Sequence, residues 1–96
     1  MENTLKKIAD HYGYDEQSSQ LVEECAELIQ AVSKYRRSVS KEAKVVALEN
    51  LIEEIVDVEI MLEQVKYLLQ LHEHDLEAVK IYKVNRTRER MDSKRG

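Results

Sequence analysis

The chain has 96 residues, with 15 Lys and Arg against 19 Asp and Glu, for a net charge of −4. It holds no Pro, Phe or Trp, and its only glycines are Gly13 and Gly96, so it lacks the turn residues of a sheet protein and reads as all-α. No apolar run approaches the roughly 20 residues that span a bilayer, no signal-peptide pattern opens the chain, and the single Cys25 forms no internal disulfide; one cytoplasmic domain, 1–96, is expected.

Charge is divided along the chain. Residues 1–79 carry 8 basic and 17 acidic side chains, whereas residues 80–96 carry 7 and 2. An acidic body of this kind disfavours nucleic acid as a partner, and the basic end reads as a solvated tail, frayed from about residue 92.

Residues 2–11 are expected to form a short first helix with Leu5, Ile8 and Ala9 on one side. The segment His11-Tyr12-Gly13-Tyr14 is the one strong turn signal, since Gly13 tolerates a left-handed backbone. Asp15 is a candidate cap for a second helix ending near Arg37. Residues 36–40 form a polar connector, and Ser40 is the candidate cap of a third helix over 41–71. Asp75 is the candidate cap of a fourth, over 76–91. The third helix is apolar around much of its circumference: Leu51, Ile55, Val58, Leu62, Val65 and Leu69 make one stripe, and Val45, Ile52, Val56 and Ile60 widen it. Such a helix is buried from several directions. A bundle of about four helices completed by homodimerisation, as a dimer or a dimer of dimers, is the expectation.

Two segments nearly repeat, Leu21-Val22-Glu23-Glu24-Cys25-Ala26-Glu27-Leu28 and Leu51-Ile52-Glu53-Glu54-Ile55-Val56-Asp57-Val58. Each sets acids at i and i+3 on one helix face, Glu24/Glu27 and Glu54/Asp57. Both pairs have the same phase, at the edge of the apolar arcs Leu21/Cys25/Leu28/Val32 and Leu51/Ile55/Val58/Leu62. If those arcs pack together, four carboxylates converge, and a bound cation relieves their repulsion. A lone Glu pair at this spacing ordinarily decorates a solvated face, the reading that also suits Glu23 and Glu53; two copies in matched phase argue against that. An all-oxygen donor set without His or Cys suits Mg²⁺, or Mn²⁺. His72 and His74, at a helix end, read as surface residues.

Such a site suits a substrate that carries its own phosphates, with basic side chains holding the charge the metal leaves. Lys80, Lys83, Arg86 and Arg90 share one face of the fourth helix and are the candidates; Lys34 and Arg37 are weaker ones.

The pattern Glu23-Glu24-x-x-Glu27, a spacer, then Glu54-x-x-Asp57 resembles the signature of the MazG-like all-α nucleoside triphosphate pyrophosphohydrolases. That superfamily also includes dimeric dUTPases and phosphoribosyl-ATP pyrophosphohydrolases. The resemblance extends over residues 13–34 and 50–69 and more loosely over 83–91. It implies a helical bundle with Glu24, Glu27, Glu54 and Asp57 as Mg²⁺ ligands. It further implies catalytic roles for Glu23, Glu24 and Glu54, with hydrolysis of (d)NTP to (d)NMP and pyrophosphate. By position, Tyr12, Tyr14 and Gln17 become candidates for base contacts. The alternatives are a non-catalytic helical interaction module with a vestigial metal site, and hydrolysis of phosphoribosyl-ATP.

Overall fold

The computed structural model describes residues 1–95 as three helices, α1 (Glu2–Arg37), α2 (Lys41–Leu68) and α3 (Glu73–Arg95), with no strand among them. The expected first and second helices are both present within α1, separated as expected at Gly13, whose φ of 83° and ψ of 170° are not helical. A side chain added at Gly13 meets nothing within 4 Å, so the requirement there is for backbone conformation and not for space. Asp15 lies inside α1, where its carbonyl accepts from the Ser18 hydroxyl at 3.2 Å. Ser40 caps α2 as expected, its hydroxyl accepting from the Ala43 amide at 3.1 Å.

The C-terminus of α2 comes earlier than residue 71 for a local reason. Gln70 takes φ 57°. Its amide donates to the Tyr67 carbonyl, and the Leu71 amide reaches back to the Lys66 carbonyl, both at 3.0 Å. This is the left-handed cap that usually falls to glycine, and Gln carries no signal for it. The amides of Asp75 and Leu76 then bond the His72 carbonyl. Thus α3 starts three residues ahead of the expected Leu76, with Asp75 in its first turn and not at its cap. It continues past the expected end at Met91, so 92–95 is helix where fraying was expected; Gly96 lies outside the described residues.

A short connector, 38–40, folds α2 back antiparallel on α1. Two ties fix the register. The Lys44 ammonium donates to the Tyr35 carbonyl at 3.0 Å and sits over the Tyr35 ring. At the other end, the Tyr67 hydroxyl donates to Asp10 at 2.8 Å. Between them runs a seam with the four-three spacing of a coiled coil. On α2 it comprises Ala47, Leu51, Glu54, Val58, Met61 and Val65; on α1 it comprises Gln17, Leu21, Glu24, Leu28, Ala31 and Tyr35. All are buried or half-buried. Ala9, Ala31 and Ala47 are shut off from solvent and let the backbones approach, while Val58, Met61 and Val65 are the large buried side chains. The apolar arcs read from the sequence therefore meet only in part, since Val32, Ile55 and Leu62 remain exposed.

The third helix, α3, packs on neither α1 nor α2. The radius of gyration, 17.3 Å, exceeds the ~12.5 Å of a compact chain this long. A four-helix bundle is not formed within one copy. No described helix is long and apolar enough to cross a membrane.

Candidate metal centre

The seam register places Glu24 of α1 opposite Glu54 of α2. Both stand where a coiled coil places an apolar side chain, and Leu21, Leu28, Leu51 and Val58 continue the stripe on either side. Glu27, one turn after Glu24, joins them: one carboxylate oxygen from each of Glu24, Glu27 and Glu54 lies within 4.8 Å of the other two. Three of the four expected ligands are thus gathered. Asp57 is exposed and outside that group, although it stands close enough to Glu54 to act on its ionisation. Glu23 is exposed, pointing away from the seam.

Hydrogen bonding leaves the centre incomplete. Glu24 receives the Gln20 amide on Oε1 at 2.8 Å, but its Oε2 is buried and unpaired, as is Oε2 of Glu54. A buried acceptor without a partner is uncommon in native proteins, and for carboxylate oxygens a cation is an ordinary remedy. The carboxyl of Glu54 is held above its usual range. Burial is the main cause, followed by the charge of Glu27 and a hydrogen bond with it, then by the charges of Asp57 and Glu24. Every one of these influences raises the value, since each either withdraws water from the charged form or sets another acid beside it. The all-oxygen donor set and two orphaned oxygens fit Mg²⁺ or Mn²⁺.

Gln17 and Gln20 lie on the same side of α1 as Glu24, two turns and one turn earlier. Gln20 is the functional neighbour that the acid pattern did not reveal, although its i, i+4 spacing to Glu24 is a readable signal. Gln17 is 6 % exposed with Oε1 unpaired, unlike the other two candidates for base contact, Tyr12 and Tyr14, which are about half exposed beside Gly13.

The basic candidates are not brought to the acids within one copy. Lys80, Lys83, Arg86 and Arg90 are exposed on α3, which packs on neither acid-bearing helix. Lys34 and Arg37 are exposed in the last turn of α1. Cys25 is a half-buried free thiol beside Glu24, and His72 and His74 are exposed. A groove of about 320 Å³ contains none of the candidate ligands. It lies where α3 leaves α2, lined by Leu5, Lys6, Gln64, Tyr67, Leu71 and His72 among others. No protein-family model, curated protein or solved structure matches this chain.

Proposed function

We propose that this protein is a Mg²⁺-dependent nucleoside triphosphate pyrophosphohydrolase, active with Mn²⁺ as well, that clears unwanted nucleotides in the cytoplasm. One observation carries the reading: Glu24 and Glu54 face each other at seam positions, each with a buried oxygen left unpaired. Acids kept where leucine would pack better point to a role other than stability. The resemblance of Glu23-Glu24-x-x-Glu27 and Glu54-x-x-Asp57 to the MazG-like signature supplies the reaction class.

Glu24, Glu27 and Glu54 would hold the cation, with Asp57 as the fourth expected ligand. Mg²⁺ bound there would neutralise phosphate oxygens and ease deprotonation of water. The water oxygen bonds to the α-phosphorus as the α–β anhydride bond breaks, giving the nucleoside monophosphate and pyrophosphate. The proton lost by the water passes to a carboxylate. Glu54, whose proton affinity is raised, suits that task, and Glu23 and Glu24 assist. Lys80, Lys83, Arg86 and Arg90 bind the remaining phosphate charge in an assembled dimer or dimer of dimers, which completes the bundle. Tyr12, Tyr14 and Gln17 contact the base.

The detachment of α3 from the acid-bearing helices favours one other reading, an interaction module whose metal site is vestigial. The decisive experiment measures pyrophosphate and monophosphate from a panel of canonical and modified (d)NTPs plus phosphoribosyl-ATP, with Mg²⁺, for wild type and Glu54→Gln. Turnover by the wild type alone supports the enzyme and identifies its substrate. Silence across the panel from a folded, Mg²⁺-binding protein turns the reading to the interaction module.

A further inference from the structure

The two parts of the chain are opposite in charge. Residues 80–95 carry 7 basic and 2 acidic side chains, whereas α1 and α2 together carry 14 acidic and 8 basic. Against the expectation of a frayed tail, the basic charge sits on a helix that continues to Arg95 and packs on neither acid-bearing helix. With screening over about 8 Å at physiological salt, such a helix keeps most of its own field.

At about 100° per residue, Lys80, Lys83, Arg86 and Arg90 fall within an arc of roughly 120°, and all four are exposed. Glu89 and Asp92 lie roughly 120° and 180° from the centre of that arc, so the face carries positive charge alone. From Lys80 to Arg90 the axis advances about 15 Å, the length of roughly four nucleotides stacked as in one strand of a duplex. At the edge of the arc stands Tyr82, the one aromatic residue of α3. It is 65 % exposed, and the Arg86 guanidinium lies 5.7 Å from its ring centre. Basic side chains in a row beside an exposed aromatic ring are what a single strand requires, since phosphates take the charges and a base stacks on the ring.

Other polyanionic surfaces suit the helix less well. Val79, Ile81, Tyr82 and Val84 are spread around its circumference and form no apolar stripe to lie on lipid. In a duplex major groove, about 12 Å wide, a helix of about 10–12 Å diameter would bring Glu89 and Asp92 against the far wall of phosphates.

We infer that α3 binds single-stranded nucleic acid along Lys80, Lys83, Arg86 and Arg90, with a base stacked on Tyr82. The same four basic side chains are the proposed holders of substrate phosphate, but a polymer engages the whole row at once and needs no acid cluster. The inference goes beyond the proposed hydrolysis and is tested apart from it.

The experiment is fluorescence anisotropy of the full chain with a labelled thymidine oligonucleotide about 12 nucleotides long, repeated across a range of salt. A dissociation constant of about 1–100 µM is expected at physiological salt. Four phosphate contacts, at about 0.7 each, give a slope of log affinity on log salt of about −2.8, and Lys83→Ala should bring it to about −2.1. Tyr82→Ala should weaken binding about tenfold or more and Tyr82→Phe should restore it, with circular dichroism checking that the helix is kept. Glu54→Gln should bind the strand as the wild type does. A chain that binds the strand but hydrolyses nothing upholds the inference while removing the enzyme reading. No binding at low salt overturns it, as does binding indifferent to Tyr82→Ala. Tighter binding of the duplex, or displacement of the strand by polyglutamate of equal charge, overturns it too, the last by making an acidic protein the partner.

Discussion

The α1–α2 pair and α3 are built from similar residues but differ in what encloses them. In the pair, an alternating four-three seam with alanines at its closest approaches brings two helices together, and its register is tied at both ends by Tyr35–Lys44 and Asp10–Tyr67. In α3, only Leu76 is even half-buried among the described residues. The pair closes on itself because its small residues allow close approach and its short connector lays the two helices side by side. The last helix has apolar side chains without a common stripe facing its own chain, so they stay open to solvent. Within the well-packed region the exception is informative: Glu24 and Glu54 interrupt the seam that the alanines and Val58, Met61 and Val65 hold together.

The largest effect is expected from completing that seam. Glu54→Leu should reduce hydrolysis more than 100-fold, the scale on which a group at a reacting centre acts, while raising Tm. It removes a buried unpaired oxygen and the repulsion of Glu27, Asp57 and Glu24. A drop in Tm would mean that the acid is structural. Next, Met61→Ala should destabilise by about 2–4 kcal/mol through loss of buried surface and the cavity left behind. By contrast, Val84→Ala, at an exposed side chain, should change the stability of the chain by no more than about 0.5 kcal/mol. Denaturant titration of both separates the enclosed region from the open one.

Ionisation sharpens the same contrast. Because the folded state raises the proton affinity of Glu54, the folded chain binds that proton more tightly than the unfolded chain does. This contribution to stability is complete below the unfolded value of 4.5 and is lost as pH rises through the folded one. Mg²⁺ opposes that loss, so its stabilisation of the melting transition should be larger at pH 8 than at pH 5. Equal shifts would show that the ion binds elsewhere. A further small effect concerns the joint between the regions. Gln70→Gly removes the strain of a left-handed glutamine and should add about 0.5–1 kcal/mol, read as a higher denaturation midpoint with α2 still ending at Leu68.

Much of this architecture is legible in the order of residues. Gly13 announces the break because no other residue takes that conformation cheaply, and Ser40 announces the start of α2 through its hydroxyl. The matched phase of Glu24/Glu27 and Glu54/Asp57 announces a convergence of acids, because helical periodicity is a local property that folding preserves. Gln70 is not legible, since nothing in its chemistry favours a positive φ and the turn is imposed by the bonds around it. Nor is Asp75 separable from a cap, as an acid suits the first turn equally well.

Sequence alone thus determined the helical class, the break, the cap and which acids share a helix face, all of which depend on neighbours a few residues away. Tertiary structure decided that Glu24 and Glu54 stand within the seam while Asp57 stands outside it. A shift of a few tens of degrees in how two helices meet moves a side chain between those environments. Structure also decided that α3 finds no surface in its own chain, because compactness depends on the sum of all packing faces and cannot be read from any one of them.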